Sequence, residues 1–157
     1  MAKDTHTMFS IREALPHEAP RVMALLTQNR QSSQDVLAPG TRYWVAEDAR
    51  GECVGTIGLE FGREAVLLRS AGVLPPWRSQ GIAAALTQEA LASAAQAGYP
   101  TIYLFSTGAG AYWRRLGFHE VQVSEVVATL PNVPQIRQYA ALGWLQTEVA
   151  WRRDVAG

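Results

Sequence analysis

The fold of this 157-residue chain is decided by one stretch, Val73-Leu74-Pro75-Pro76-Trp77-Arg78-Ser79-Gln80-Gly81-Ile82-Ala83-Ala84-Ala85-Leu86. An apolar strand ends at the Pro-Pro pair, and a helix begins in the run of small residues that follows. The first N–H groups of a helix have no partner within it, so this start can bind an anion, and Gly81 and Ala83 let a phosphate approach the backbone closely. A plain strand-to-helix turn explains the same pattern. The stretch is not a P-loop, because the Gly-Lys-Ser/Thr ending is absent.

The hydrophobic pattern on both sides of this stretch predicts alternating strands and helices. Upstream we expect a strand at 8–13, a helix from 16 to 29, and strands at 43–47, 53–61 and 65–74. Downstream we expect a helix at 80–97, a strand at 101–106, a helix at 109–116, a strand region at 118–130, a helix near 135–142 and a final strand at 145–152. This order indicates a single layered α/β (α+β) domain on a mixed sheet, covering residues 8–157, with residues 1–7 as a flexible N-terminus.

The composition excludes several classes of function. The chain has 14 Lys plus Arg and 14 Asp plus Glu, so it lacks the cationic field that nucleic acid or an anionic membrane would require. The single cysteine, Cys53, cannot form an internal disulfide, and no Cys/His cluster has zinc-ligand spacing. The polar start lacks the apolar core of a signal peptide, and no apolar stretch approaches the ~20 residues of a membrane span. We therefore expect a cytoplasmic protein without a metal, a monomer or homodimer.

Two motifs resemble the signatures of one enzyme superfamily. Arg78-Ser79-Gln80-Gly81-Ile82-Ala83 resembles the Arg/Gln-x-x-Gly-x-Gly/Ala signature of the GNAT N-acyltransferases, and Tyr112-Trp113-Arg114-Arg115-Leu116-Gly117-Phe118 is similar to their second signature, aromatic-Tyr-x-x-hydrophobic-Gly-Phe. The predicted order of strands and helices also matches from about residue 8 to residue 153. The resemblance implies a GNAT-like domain with helices on both faces of a mixed central sheet that is splayed between its fourth and fifth strands.

The resemblance further implies acetyl-CoA as cosubstrate, lying in the V-shaped opening between those two strands. The backbone of Ala71, Gly72 and Val73 would pair with the pantetheine arm and polarise the thioester carbonyl; a β-bulge without ligand is the alternative reading of Gly72. The pyrophosphate would be held by the backbone of the signature, with added charge from its arginine. The implied binding residues are Arg78, Ser79, Gln80, Gly81, Ile82, Ala83 and Ala84.

The sequence departs from the family pattern where a general acid is expected. An alkylammonium with a pKa of about 10.4 must lose a proton before it attacks, whereas a thiol with a pKa of about 8.5 is a tolerable leaving group. The general base therefore matters more to this reaction than the general acid. GNAT enzymes often use a Tyr as acid, and here Trp113 takes that position. An indole N–H donates a hydrogen bond but no proton. Tyr112 is one residue early, about 100° round the helix, and is our candidate acid; its ring packing under the helix is the alternative.

The expected base is also missing, because Leu67 and Phe105 stand where many family members have a carboxylate. Glu60, late in the strand 53–61, is the nearest candidate base and would act through a water; a solvent-facing Glu at a strand end is the alternative. Arg69 shares one strand face with Leu67 in the predicted alternation, and an Arg among apolar neighbours requires a partner. A substrate carboxylate or phosphonate would pair with it. An internal ion pair with Glu60 is the equal alternative.

The sequence gives the least information about the acceptor site. Trp44 and Trp113 are candidate contacts, because GNAT proteins usually build the acceptor wall near the position of Trp44. Short stretches such as Pro134-Gln135-Ile136-Arg137 resemble small arsenic-operon acetyltransferases, which implies an amino-acid-like acceptor. The prediction is an N-acetyltransferase that moves an acetyl group to the primary amine of a small molecule by direct attack in a ternary complex. A non-catalytic acyl-CoA-binding regulatory module is the alternative.

Overall fold

The computed structural model describes residues 8–154. The predicted flexibility of residues 1–7 falls outside that range. Seven strands form one sheet in the order β1-β2-β3-β4-β5-β7-β6. The strands are β1 Ser10–Glu13, β2 Thr41–Glu47, β3 Cys53–Phe61, β4 Ala65–Val73, β5 Thr101–Phe105, β6 His119–Val121 and β7 Ala150–Asp154. The helices are α1 Ala19–Gln28, α2 Ile82–Gln96, α3 Gly110–Arg115, α4 Val123–Thr129 and α5 Pro134–Leu142, with short 3-10 helices at Pro16–Glu18, Pro75–Trp77 and Leu145–Thr147.

The strand directions confirm the predicted mixed sheet. β1 pairs antiparallel with β2, and β7 pairs antiparallel with both β5 and β6. β4 and β5 are parallel, and their register runs from Ala65 opposite Thr101 to Leu68 opposite Leu104. β4 itself continues to Val73. The last residues of β4 therefore extend past the segment that is paired with β5, at the fourth and fifth strands where the splay was predicted.

The domain divides into two compact units along the chain. The first unit contains the described residues up to Gly58 together with Ser70–Ala90. In it, α1 packs on one face of β2 through the apolar cluster that includes Tyr43 and Val45. Side chains alternate along a strand, so Ala46 points to the opposite face. There a Cβ on Gly55 would lie 2.9 Å from Ile82 Cγ2 and 3.4 Å from Ala46 Cβ, so α2 packs directly on β3.

The second unit contains Leu59–Arg69 and the described residues from Leu91 onward. The helices α4 and α5 cover one face of its strands through a buried cluster that includes Leu67, Tyr103, Val126 and Ile136. α3 packs on the other face, where a Cβ on Gly110 would lie 3.1 Å from the Trp151 ring. Each unit thus carries helices on both faces of its own strands, as the resemblance implied.

Two predicted strands are wrong. Residues 118–130 form only the short strand β6 before the chain continues as α4. The apolar residues Val123, Val126, Val127 and Leu130 follow the 3-4 spacing of a helical face, and this face joins the buried cluster. Residues 145–152 begin as a 3-10 turn, and β7 starts only at Ala150. In the first case, β-branched valines favour a strand locally, but packing against the sheet selects the helix.

Candidate functional site

The start of α2 presents an exposed turn with two left-handed residues. φ is +65° at Ser79 and +87° at Gly81. Both residues are exposed, and a Cβ added to Gly81 would meet no atom within 4 Å. The Gly81 carbonyl accepts the N–H of Ala85, so the helix begins here and its first N–H groups have no partner in the preceding turn. This α2 turn, residues 78–84, can therefore hold an anion on backbone donors.

Arg78 is anchored beside the same turn. Its Nε donates to the carbonyl oxygen of Val73 at 3.0 Å, and the side chain is otherwise exposed. Within residues 8–154 the four remaining N–H groups of this guanidinium have no hydrogen-bond partner. A planar guanidinium that is fixed through one nitrogen can offer the others to a phosphate. The predicted role of Arg78 is compatible with this geometry.

The end of β4 is held by side chains that follow α1. Gln31 Nε2 donates to the Ala71 carbonyl at 3.0 Å, and Asn29 Nδ2 donates to the Val73 carbonyl at 3.1 Å. Since Arg78 also donates to Val73 O, both lone pairs of that oxygen are used. A pantetheine arm that pairs with this segment would have to use other backbone groups or share the Ala71 oxygen.

The backbone irregularity in β4 lies at Ser70 and not at Gly72. Ser70 has φ of +58°, whereas Gly72 has no positive φ. The Ser70 carbonyl accepts Thr56 Oγ1, and its hydroxyl shares a hydrogen bond of 3.0 Å with Tyr43 OH. A left-handed residue breaks the regular alternation of a strand. The alternation that places Leu67 and Arg69 on one face therefore does not continue regularly past Ser70. A Cβ on Gly72 would lie 2.4 Å from Gln31 Oε1, so a larger residue there would displace the Gln31 side chain that donates to Ala71 O.

Glu60 and Arg69 form an ion pair inside the second unit. Arg69 Nη1 lies 2.8 Å from Glu60 Oε2, and both side chains are 0% exposed. The other carboxylate oxygen of Glu60 accepts the backbone N–H of Gln135, at the start of α5, at 2.9 Å. Of the two alternatives for Arg69, the structure forms the ion pair with Glu60. Complete burial and these contacts disfavour Glu60 as a solvent-connected base.

Tyr139 lies between the Glu60–Arg69 ion pair and a second carboxylate, that of Glu148. Gln135 Nε2 donates to Tyr139 OH at 3.3 Å, and the Tyr139 ring contacts Phe105 with a centroid distance of 5.9 Å. Burial raises the pKa of Tyr139, and the negative charge of Glu148 raises it further. Burial also raises the pKa of Glu148 itself. We call Glu60, Arg69, Gln135, Tyr139 and Glu148 the Glu60 cluster.

Glu148 lines an open groove of about 690 Å³ in the second unit. The groove lies between α4 and the 3-10 turn before β7, and its apolar lining comes from Val123, Val127 and Leu145. The clustering of Tyr139 and Glu148 was not predicted from the sequence. A helical interpretation of residues 123–130 would have revealed the wall of this groove.

The second signature folds as the helix α3 and its C-terminal turn. Trp113 is 6% exposed, and its ring contacts Tyr112 and Phe118 edge to face at 4.9 and 5.6 Å. Its Nε1 is buried and has no acceptor among the residues of the described range. A buried N–H without a partner is rare and requires an explanation. Tyr112 is half-buried beside it, in agreement with a ring that packs along the helix.

Trp44 lies in the core of the first unit. The residue is 2% exposed, and the Arg42 guanidinium lies over its ring at 5.1 Å from the centroid. This burial gives no support to direct contact with an acceptor. In the described part of the chain no group of three His, Cys, Asp or Glu residues could hold a metal ion, and no helix is long and apolar enough to cross a membrane.

A sequence profile of the acetyltransferase (GNAT) domain matches residues 39–120, more than half of the chain. This chain belongs to the GNAT acetyltransferase family. The match contains both the α2 turn and α3, which are the two places where the sequence resembles the family signatures. No curated protein matches the chain by sequence.

Several solved structures share the fold. A GNAT acetyltransferase from Staphylococcus aureus is 16% identical to this chain and superposes with a TM-score of 0.74. The match covers 95% of this chain and 100% of the S. aureus chain. N-acetylglutamate synthase from Neisseria gonorrhoeae, in complex with coenzyme A and N-acetylglutamate, is 19% identical and has a TM-score of 0.75. The match covers 99% of this chain but only 37% of the synthase chain. A GNAT N-acetyltransferase from Escherichia coli, in complex with CoA, is 21% identical and has a TM-score of 0.70. The match covers 99% of this chain and 86% of the E. coli chain.

Proposed function

We propose that this GNAT protein is an acetyl-CoA-dependent N-acetyltransferase whose acceptor is the primary amine of a small, amino-acid-like molecule. Family membership supports acyl transfer in general. The observation that carries acetyl-CoA as the donor is the α2 turn, with its two left-handed residues and its open space beside Gly81. Such a turn fits a pyrophosphate because it combines free backbone donors with the positive end of a helix dipole.

In this proposal the α2 turn binds and orients the cosubstrate. The N–H groups of Ser79 to Ala84 donate to pyrophosphate oxygens, and the guanidinium of Arg78 adds positive charge from its anchored position. The backbone of Ala71, Gly72 and Val73 pairs with the pantetheine arm. Bound acetyl-CoA supplies an acetyl group that is activated as a thioester.

The acceptor amine must reach this acetyl group unprotonated and attack directly in a ternary complex. Removal of the ammonium proton is the demanding step, since the thiol of CoA leaves readily near neutral pH. Trp113 can offer only a hydrogen bond from its indole N–H. Tyr112 is the remaining side-chain candidate in α3 for returning a proton to the leaving thiolate.

The test is turnover of acetyl-CoA with a panel of small amines and amino acids, following thiol release and the mass of the product. Amine-dependent thiol release together with an N-acetylated product supports the proposal. Slow thiol release that does not respond to any amine contradicts it.

A non-catalytic acyl-CoA-binding module is the second candidate. It is favoured by Trp113 at the usual acid position and by the complete burial of Glu60 in an ion pair. Tight binding of acetyl-CoA by calorimetry without any thiol release would select this candidate. Absence of binding would exclude both.

A further inference from the structure

The last residues of β4 direct two of their carbonyls away from β3. The Leu74 N–H donates to the carbonyl of Val54 in β3 at 2.9 Å. The C=O and N–H of one trans peptide point in opposite directions, so the carbonyl of Val73 faces the other edge of β4. Alternate residues of a strand direct their backbone groups to the same edge, and the Ala71 carbonyl therefore faces that edge as well. The pairing of β4 with β5 ends at Leu68, before either carbonyl is reached.

Side-chain donors already occupy both carbonyls of this segment, which we call the open β4 edge. The Val73 oxygen accepts both Asn29 Nδ2 and Arg78 Nε, so its two lone pairs are used. Among the described residues the Ala71 oxygen has a single side-chain donor, Gln31 Nε2 at 3.0 Å. Of the two carbonyls, only that of Ala71 can therefore be released by moving one side chain.

The end of α1 determines where Gln31 lies. The N–H of Arg30 donates to the Thr27 carbonyl at 3.0 Å, and the N–H of Gln31 donates to the Leu26 carbonyl at 2.8 Å. These two bonds form a Schellman motif, whose left-handed residue is Arg30 with φ of +59°. The backbone of Gln31 is thus fixed by the helix end. Its half-buried side chain reaches the open β4 edge from there.

The Gln31 side chain resembles the part of the cosubstrate that is proposed to bind here. It ends in a carboxamide on two methylene groups, and the pantetheine arm of CoA likewise consists of amides separated by methylene groups. Gln31 Nε2 makes the bond to the Ala71 oxygen that an amide N–H of a strand-like ligand would make. Gln31 Oε1 lies 2.4 Å from the position of a Cβ on Gly72, so the same side chain also fills the space beside Gly72.

We propose that Gln31 is a built-in competitor for the pantetheine arm and that acetyl-CoA binds at the open β4 edge by displacing the Gln31 side chain. This inference rests on the proposed function, which pairs the arm with this segment. The Ala71 oxygen exchanges the Gln31 N–H for an amide N–H of the arm, and the Gln31 carboxamide moves into water. Asn29 and Arg78 keep their bonds to the Val73 oxygen, so the end of β4 stays fixed while the ligand binds.

The test is calorimetric titration of the protein with CoA and with ADP, which has a pyrophosphate but no pantetheine arm. Gln31→Ala removes the competing donor and should tighten CoA binding about two- to tenfold, the net effect of one hydrogen bond. Gln31→Met keeps the length of the side chain without a donor and should tighten CoA binding as well. The affinity for ADP should stay within a factor of about two in both variants, because ADP shares no partner with Gln31.

Gln28→Ala is the matched control. Gln28 is the exposed last residue of α1, and its side chain makes no hydrogen bond within residues 8–154, so this variant should bind CoA as the wild type does. Unchanged or weaker CoA binding in either Gln31 variant overturns the inference, because the arm would then share the Ala71 oxygen with Gln31 or depend on it. An equal gain for CoA and ADP also overturns it, because the effect would then lie at the pyrophosphate.

Further outcomes separate this inference from the proposed function. Tighter CoA binding in both Gln31 variants, in a protein that releases no thiol with any amine, would overturn the proposed catalysis alone. Absence of CoA binding in the wild type and in every variant would overturn both.

Discussion

The α2 turn and the Glu60 cluster place their polar groups in opposite ways. The α2 turn is exposed, continuous in sequence, and built from backbone donors with small side chains around Gly81. The Glu60 cluster is built from side chains of β3, β4, α5 and the loop before β7, and its central ion pair is fully buried. Backbone donors bind a phosphate without being paired in advance. Buried charges require partners already in the fold, and among the carboxylates of the cluster only Glu148 lacks one within the described residues.

The largest expected effect tests whether the buried pair is structural. Arg69→Leu leaves the Glu60 charge buried without its partner and should lower the free energy of unfolding by about 3–5 kcal/mol. Arg69→Lys should lose less, because the charge remains while the planar fork is lost. Thermal or denaturant unfolding measures both, and the double variant Glu60→Leu/Arg69→Leu should recover part of the loss. If stability were unchanged while the KM for acidic acceptors rose, Arg69 would belong to the acceptor site instead.

The next effect tests the α2 turn. Gly81→Glu places an anion where the pyrophosphate is proposed to bind, and the affinity for acetyl-CoA should fall by an order of magnitude or more, as like charges at close range predict. Gly98→Glu is the matched control. Gly98 follows the other end of the same helix, has the same φ of +87°, and has equally open space around its Cβ position. Both variants carry the same backbone strain, so calorimetry isolates the effect of position. Equal affinities in the two folded variants would contradict the assignment of the turn.

A smaller effect concerns proton return to the thiolate. Tyr112→Phe should lower kcat by less than the ~100-fold expected for loss of a true general acid, because thiolate leaves readily at neutral pH. Steady-state kinetics with acetyl-CoA affinity measured in parallel checks this. A greater loss of kcat at unchanged affinity would identify Tyr112 as the acid.

The smallest effect distinguishes the unpaired carboxylate from the paired ones. The pKa of Glu148 is raised above its ordinary value of 4.5, so the folded protein binds its proton more firmly than the unfolded chain does. Stability therefore falls as the pH rises from 4.5 through the folded pKa. Glu148→Gln should raise Tm slightly at pH 7, and the gain should vanish below about pH 4.5, the ordinary value. A lower Tm at pH 7 would show that Glu148 has a stabilising partner.

Local pattern was sufficient for much of the fold. The strands β2, β3 and β5 and the helices α2 and α5 lie within two residues of their predicted bounds. The main error, a strand in place of α4, came from the β-branched valines between Val121 and Val127. Their 3-4 spacing, completed by Leu130, was the signal for the helix. Propensity and period disagreed there, and packing on the sheet decided in favour of the period.

The sequence by itself determined the family and the α2 turn, because backbone donors, a glycine at positive φ and a helix start are set by neighbouring residues. Only the tertiary structure decided which partners the charged side chains meet. Glu60 meets the N–H of Gln135 across 75 positions of sequence, and the same fold pairs it with Arg69. The same holds for the place of Glu148 opposite α4. Pairing of a buried charge depends on which distant residues the fold brings within hydrogen-bond distance, and hydrophobic periodicity carries no information about that.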